Sequence, residues 1–172
     1  MSKTIVINLM GGPGSGKSTT AAGLFYKLKK QNYNVELAFE FAKDKVWEES
    51  FHMMENQIYI FGKQYHRIWR LKDKVDFIIT DSPLLVSLFY NKEKSETFDS
   101  FVIEQFNKFD NIVYFIERNK ENYQKEGRMQ TKEEAEAIDE ELISVMNKYN
   151  INFKRIPQEN AVDSILNELT QK

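Results

Sequence analysis

Short apolar runs alternate along this chain with longer stretches in which apolar residues recur every three or four positions. Residues 5–9 form a β-branched run that stops at glycines, which predicts a buried strand. After the glycines, Ala21, Ala22, Leu24, Phe25 and Leu28 recur at helical spacing. Residues 34–39 predict a second strand. From about residue 53 to 71, Met54, Ile58, Phe61, Tyr65 and Ile68 mark one face of a long helix. Phe77, Ile78 and Ile79 predict a third strand that ends at Thr80-Asp81-Ser82-Pro83, with helical stretches near 84–90 and 96–108. Residues 112–116 predict a fourth strand ending at Glu117-Arg118, and a polar segment follows. Thr131 with Glu134 makes a capping box for a helix that turns Ala135, Ile138, Leu142, Val145 and Met146 inward. Residues 151–156 predict a fifth strand that Pro157 breaks, and residues 161–169 predict a closing helix.

Strands that alternate with helices imply a parallel sheet covered on both faces, so the expected fold is a three-layer α/β/α sandwich. With 172 residues and no repeat or linker, the chain reads as one domain over 1–172. Hydrophobic residues at 41% and aromatics at 13% are enough for one core and argue against disorder. Basic and acidic residues number 24 and 26, and the net charge of -2 gives no general pull toward nucleic acid or anionic membrane. The absence of cysteine excludes disulfides, thiolate metal sites and cysteine nucleophiles. His52 and His66 have no partners at metal spacing and read as structural, as Trp47, Trp69, Tyr59 and Tyr65 read as packing residues. Neither a signal peptide nor an apolar run of membrane length is visible, which predicts a cytoplasmic protein.

The most specific chemistry lies between the first strand and the first helix, at Gly11-Gly12-Pro13-Gly14-Ser15-Gly16-Lys17-Ser18, followed by Thr19. Glycines at this spacing let backbone N–H groups approach phosphate oxygens, and the helix that starts near Lys17 adds its positive end. Lys17 can reach β and γ phosphates, and the Ser18 hydroxyl can ligate Mg²⁺. This loop predicts ATP and Mg²⁺ as the donor and its ion.

Two carboxylates end predicted strands, the edge at which open parallel sheets bind ligands. Asp81 follows the third strand and could hold Mg²⁺, take a proton from an acceptor hydroxyl, or cap the next helix. Glu40 stands between Phe39 and Phe41 after the second strand, where partial burial could raise its pKa and fit it to act as a base. On the long helix, Gln57, Phe61 and Gln64 share a face that could read a nucleobase by hydrogen bonds and stacking. Arg118, Lys120, Lys125 and Arg128 belong to a glycine-containing segment at about 118–130 that reads as a lid. Arg118 and Arg128 are the candidates for stabilising transition-state charge.

With those residues in view, the chain resembles the P-loop nucleoside and nucleotide kinases. Deoxynucleoside kinase, thymidylate kinase and nicotinamide riboside kinase are similar types, phage-encoded relatives included. Glu40 with downstream Trp47 looks like the base and tryptophan of deoxynucleoside kinases, and Gln57 looks like their base-reading glutamine. Where those enzymes carry Asp-Arg-Ser or a similar triplet, this chain has Asp81-Ser82-Pro83. The resemblance implies a sheet order of 2-3-1-4-5 and an adenine site between Arg118 and the loop at 157–160. It implies an ATP-dependent transferase acting on a nucleoside or nucleotide. A kinase of a nucleic-acid end or modified DNA base, and a P-loop ATPase switch, remain the alternatives.

Overall fold

The computed structural model describes residues 3–119 and 132–171. Its centre is a five-stranded parallel sheet in the order β2-β3-β1-β4-β5, as the resemblance implied. The strands are β1 (Ile5–Met10), β2 (Val35–Leu37), β3 (Phe77–Thr80), β4 (Asp110–Glu117) and β5 (Lys154–Pro157). Strand β1 lies in the middle, with Ile5 opposite Phe77 of β3 on one side and Asp110 of β4 on the other.

Alternation along the strands sorts the core into two clusters. Val6, Met10, Ile78, Val113 and Phe115 pack on one face; Ile7, Leu9, Ile79, Tyr114 and Ile116 pack on the other. The first face carries α3 (Gln57–Trp69), α4 (Val86–Phe89), α5 (Glu96–Phe106) and α6 (Lys132–Lys148). The second carries α1 (Lys17–Lys30) and α7 (Ala161–Thr170). A strand buried on both faces reads as a continuous apolar run, which is how β1 and β3 look in sequence.

Several expected boundaries shift, the start of the fifth strand from residue 151 to Lys154 among them. The second strand stops at Leu37, and residues 41–47 form a helix, α2 (Phe41–Trp47), that periodicity did not predict. None of its residues is buried, so it carries no apolar stripe. The long helix starts at Gln57 after a 3-10 turn, because the Asn56 side chain accepts from Tyr59 N at 3.1 Å and caps it there. Pro157 ends β5 instead of breaking the chain before it, opposite Glu117, which an edge strand permits. Trp47 and Trp69, expected as packing residues, are 80% and 53% exposed. Thr131 of the capping box lies outside the described residues, while the helix it was read to start is present.

Candidate active site

The loop of residues 11–16 joins the C-terminal end of β1 to the first turn of α1. Gly16 caps that helix with φ 88°, a left-handed backbone that favours glycine, and a Cβ there would lie 2.6 Å from Gln158 Nε2. The helix has no side-chain cap hydrogen bond and no acidic residue in its first turn. Its N–H groups and dipole are therefore left for an outside anion. Lys17 Nζ folds back over the loop and donates to Gly11 O at 2.7 Å and Gly12 O at 2.8 Å. Burial pulls this ammonium below its ordinary range, against the opposing pull of Glu40, Asp81 and Asp139.

Asp81 stands one residue past β3, with β1 between its strand and β4. Its Oδ2 accepts from the Ser18 hydroxyl at 2.6 Å. Its Oδ1 is buried and meets no hydrogen-bond partner among the described residues. A carboxylate oxygen left unpartnered beside a hydroxyl suits Mg²⁺, which takes oxygen ligands and completes its shell with phosphates and water. Ser18 and Asp81 thus fit the ion the loop predicts.

Glu40 precedes α2 as its N-cap, yet its side chain makes no capping bond. Burial raises its carboxyl above the usual carboxylate range, with Lys17 pulling the other way. Three hollows converge on this residue. A cleft of about 580 Å³ runs past Gly14, Lys17, Ser18, Trp47 and Asp81. A partly enclosed cavity of about 340 Å³ lies beside it, with Phe51, Met54, Gln57, Pro83 and Tyr90 among its walls. Burial and then the Glu40 charge hold the Tyr90 phenol above its ordinary range. A wider groove of about 760 Å³ carries Lys43, Lys63 and Arg70 along with Ser18 and Asp81.

Gln57 lines the 340 Å³ cavity, although its Nε2 also donates to Met54 O at 3.0 Å. Phe61 does not reach it. At 3% exposure it packs on Tyr65, Phe98 and Phe101, so its expected place against an acceptor base is corrected to a place in the core. Gln64 borders the same cavity but is engaged in structure: its Oε1 accepts from Phe41 N at 3.0 Å and its Nε2 donates to Thr80 Oγ1 at 3.3 Å.

Arg118, just past β4, has a side chain 4% exposed and donates through Nη2 to Asp139 Oδ2 at 3.0 Å. A Cβ on Gly12 would lie 3.3 Å from that same nitrogen, which places the guanidinium against the phosphate loop. Arg128, the other expected lid cation, lies outside the described residues, as does most of the 118–130 segment. The turn at 157–160 approaches the loop through Gln158, whose Oε1 accepts from Asn119 N at 3.4 Å. Asp139 is the site residue that periodicity missed. Its signal was a carboxylate four positions after Ala135, on the inward stripe of α6.

A glycine loop between the central strand and a helix, with an acidic residue at the end of the neighbouring strand, defines a P-loop domain of the nucleotide-binding kind. A family model described as an AAA domain matches residues 6–163, and the chain belongs to that family. Solved structures share its fold. The NadR protein in complex with NR superposes with a TM-score of 0.74 at 18% identity, over 98% of this chain and 52% of that one. This chain therefore spans about half the NadR length. Thymidylate kinase from Ehrlichia chaffeensis gives a TM-score of 0.65 at 14% identity, covering 98% of this chain and 100% of that one. Deoxyadenosine kinase from M. mycoides with bound dATP gives 0.53 at 19% identity, covering 95% and 98%. The resemblance to nucleoside and nucleotide kinases thus holds for the fold. No curated protein matches the chain in sequence. Among the described residues, no helix is long and apolar enough to cross a membrane.

Proposed function

We propose that this chain is an ATP-dependent phosphotransferase that moves the γ phosphate of ATP to a nucleoside or nucleotide, acting as one kinase domain in the cytoplasm. One observation carries the reading: Lys17, the Ser18–Asp81 pair and Glu40 share a cleft, and Glu40 also borders a separate cavity of about 340 Å³. A donor phosphate and an acceptor hydroxyl placed in the two hollows would meet at Glu40.

The roles follow from the chemistry of each group. Gly12, Pro13, Gly14, Ser15, Gly16 and Thr19 supply or shape the backbone that surrounds the donor phosphates, and the α1 N-terminus adds its dipole. Lys17, held by the Gly11 carbonyl, turns its remaining N–H donors from the Gly12 carbonyl to phosphate oxygens. Ser18 and Asp81 would hold Mg²⁺, which would supply positive charge beside the donor phosphates. Glu40 accepts the proton of the acceptor hydroxyl as its oxygen bonds to the γ phosphorus. The bond from that phosphorus to the β-phosphate oxygen breaks and ADP leaves. Arg118 neutralises charge that develops on the transferred group, and Arg128 joins it in the lid reading. Gln57 and the apolar wall of the cavity orient the acceptor base.

A second reading rests on the 760 Å³ groove. Lys43, Lys63 and Arg70 line it together with exposed Phe39 and Trp47, a cationic and aromatic surface suited to a nucleic-acid end. One experiment separates the two. Purified protein with ATP and Mg²⁺ is screened against nucleosides, nucleoside monophosphates and single-stranded oligonucleotides. Transfer to a small acceptor is the expected result. Transfer to oligonucleotides that falls steeply with salt favours the second reading, and ATP hydrolysis without transfer to any acceptor overturns both.

A further inference from the structure

One carboxylate touches the machinery of both phosphate-facing cations from a helix far along the chain. Asp139 on α6 accepts the Gly12 N–H through Oδ1, across 127 positions of sequence. Its Oδ2 accepts from Arg118 at 3.0 Å, in an ion pair whose side chains are 4% and 17% exposed.

The contact with Gly12 reaches further than Gly12. The peptide joining Gly11 to Gly12 is held at both ends: its N–H donates to Asp139, and its carbonyl accepts from Lys17 Nζ at 2.7 Å. A hydrogen bond accepted from an amide N–H polarises that amide and strengthens its carbonyl as an acceptor. Asp139 and Lys17 are therefore linked through one peptide group, and Asp139 and Arg118 are linked directly. The approach is built into the sequence, because a Cβ on Gly12 would come within 2.7 Å of Asp139 Oδ1 and 3.0 Å of Ala135 O. Burial holds the Asp139 carboxyl above its usual range, opposed by the Gly12 N–H, Arg118 and Lys17, so the carboxylate depends on those partners.

We propose that Asp139 is a positioning residue of the phosphate-transfer site, orienting Lys17 through the Gly11–Gly12 peptide and Arg118 through its second oxygen. The proposal rests on the phosphotransfer reading above. It differs from a purely architectural ion pair, which would hold α6 against the loop without setting how either cation meets the γ phosphate.

The test compares ATP with ADP. Asp139→Asn and Asp139→Glu are made in the full chain, checked by thermal unfolding, and titrated with each nucleotide in the presence of Mg²⁺. Asparagine can still accept from Gly12, but its amide turns a donor toward Arg118. The expected result is an ATP Kd raised by about tenfold, the worth of a charge-assisted hydrogen bond, with the ADP Kd raised by less. Turnover at saturating ATP should fall by about 10- to 100-fold, as misplacement of a catalytic group does. Asp139→Glu keeps the charge and should recover part of both losses. Equal weakening of ATP and ADP, or unchanged turnover in a folded Asp139→Asn chain, overturns the proposal. If the asparagine variant does not fold, the glutamate variant decides: a folded chain whose ATP affinity falls more than its ADP affinity supports the proposal, and equal changes or none overturn it. A wild-type chain that binds neither nucleotide sinks the phosphotransfer reading itself, a result distinct from every outcome for Asp139.

Discussion

Replacing Glu40 with glutamine removes one negative charge from the junction of the donor cleft and the acceptor cavity while keeping the side chain's size. The Glu40 side chain caps nothing, so helix α2 loses no hydrogen bond in the exchange. The effect on catalysis should be large. A positioned general base contributes about 10²- to 10⁴-fold, so turnover should fall by that factor, or roughly 3–5 kcal/mol of transition-state stabilisation. ATP affinity should move far less, because Lys17 and the loop backbone hold the donor. The pH profile gives a second readout. Burial raises the Glu40 pKa, so the wild-type acid limb should lie above the usual glutamate range, and the glutamine variant should lack it. Stability carries the opposite face of the same shift. Between the ordinary and the raised pKa the folded chain keeps a proton that the unfolded chain has lost, so this group's contribution is present at low pH and is lost as pH rises through the folded pKa. Glu40→Gln should therefore flatten that fall in melting temperature toward neutral pH. The assay is steady-state transfer and ATP titration on both proteins from pH 5 to 9, beside thermal melts. Equal losses in turnover and ATP affinity, or an acid limb that survives in the variant, would refute the base role.

Other perturbations separate the loop, the ion and the core. Ser18→Ala deletes the hydroxyl that meets Asp81 at 2.6 Å and should raise the Mg²⁺ concentration for half-maximal transfer by about tenfold; an unchanged Mg²⁺ titration would count against the ion site. Gly16→Ala puts a side chain at φ 88° against Gln158. The left-handed backbone costs about 1–2 kcal/mol, or a melting temperature lower by roughly 2–8 °C, with ATP binding weakened further; wild-type melting and binding would contradict that crowding. Phe61→Leu should cost about 1–3 kcal/mol of stability and leave the acceptor KM unchanged. A raised KM with unaltered melting would return Phe61 to the acceptor site.

What could be read from the chain depended on how far apart the interacting residues lie. Strands β1, β3 and β4 were legible because burial on both faces writes a local apolar run, as at Phe77-Ile78-Ile79. The phosphate loop was legible because its residue types and spacing are contiguous. Helix α2 was not, since it buries nothing and leaves no period. Phe61 and Gln64 show the limit of reading a face. Periodicity put both on one side of α3, but only packing tells that the ring joins Phe98 and Phe101 while the amide ties the start of α2 to β3. The partnership of Asp139 with Gly12 was invisible for a simpler reason: no local pattern records a contact between positions so distant.

The central place of β1 has a consequence for how the protein is made. The strand that leads into the phosphate loop leaves the ribosome ahead of both its neighbours, since Ile5 pairs with Phe77 and with Asp110. The carboxylate that fastens the loop comes later still, on α6. Such non-local pairing closes long loops before any contact rewards it, which slows folding. A nascent chain interrupted before residue 139 would carry every residue of the nucleotide-binding motif and still lack the contact that fastens it. Competence to bind nucleotide should therefore arrive only once α6 has emerged, close to completion of the sheet.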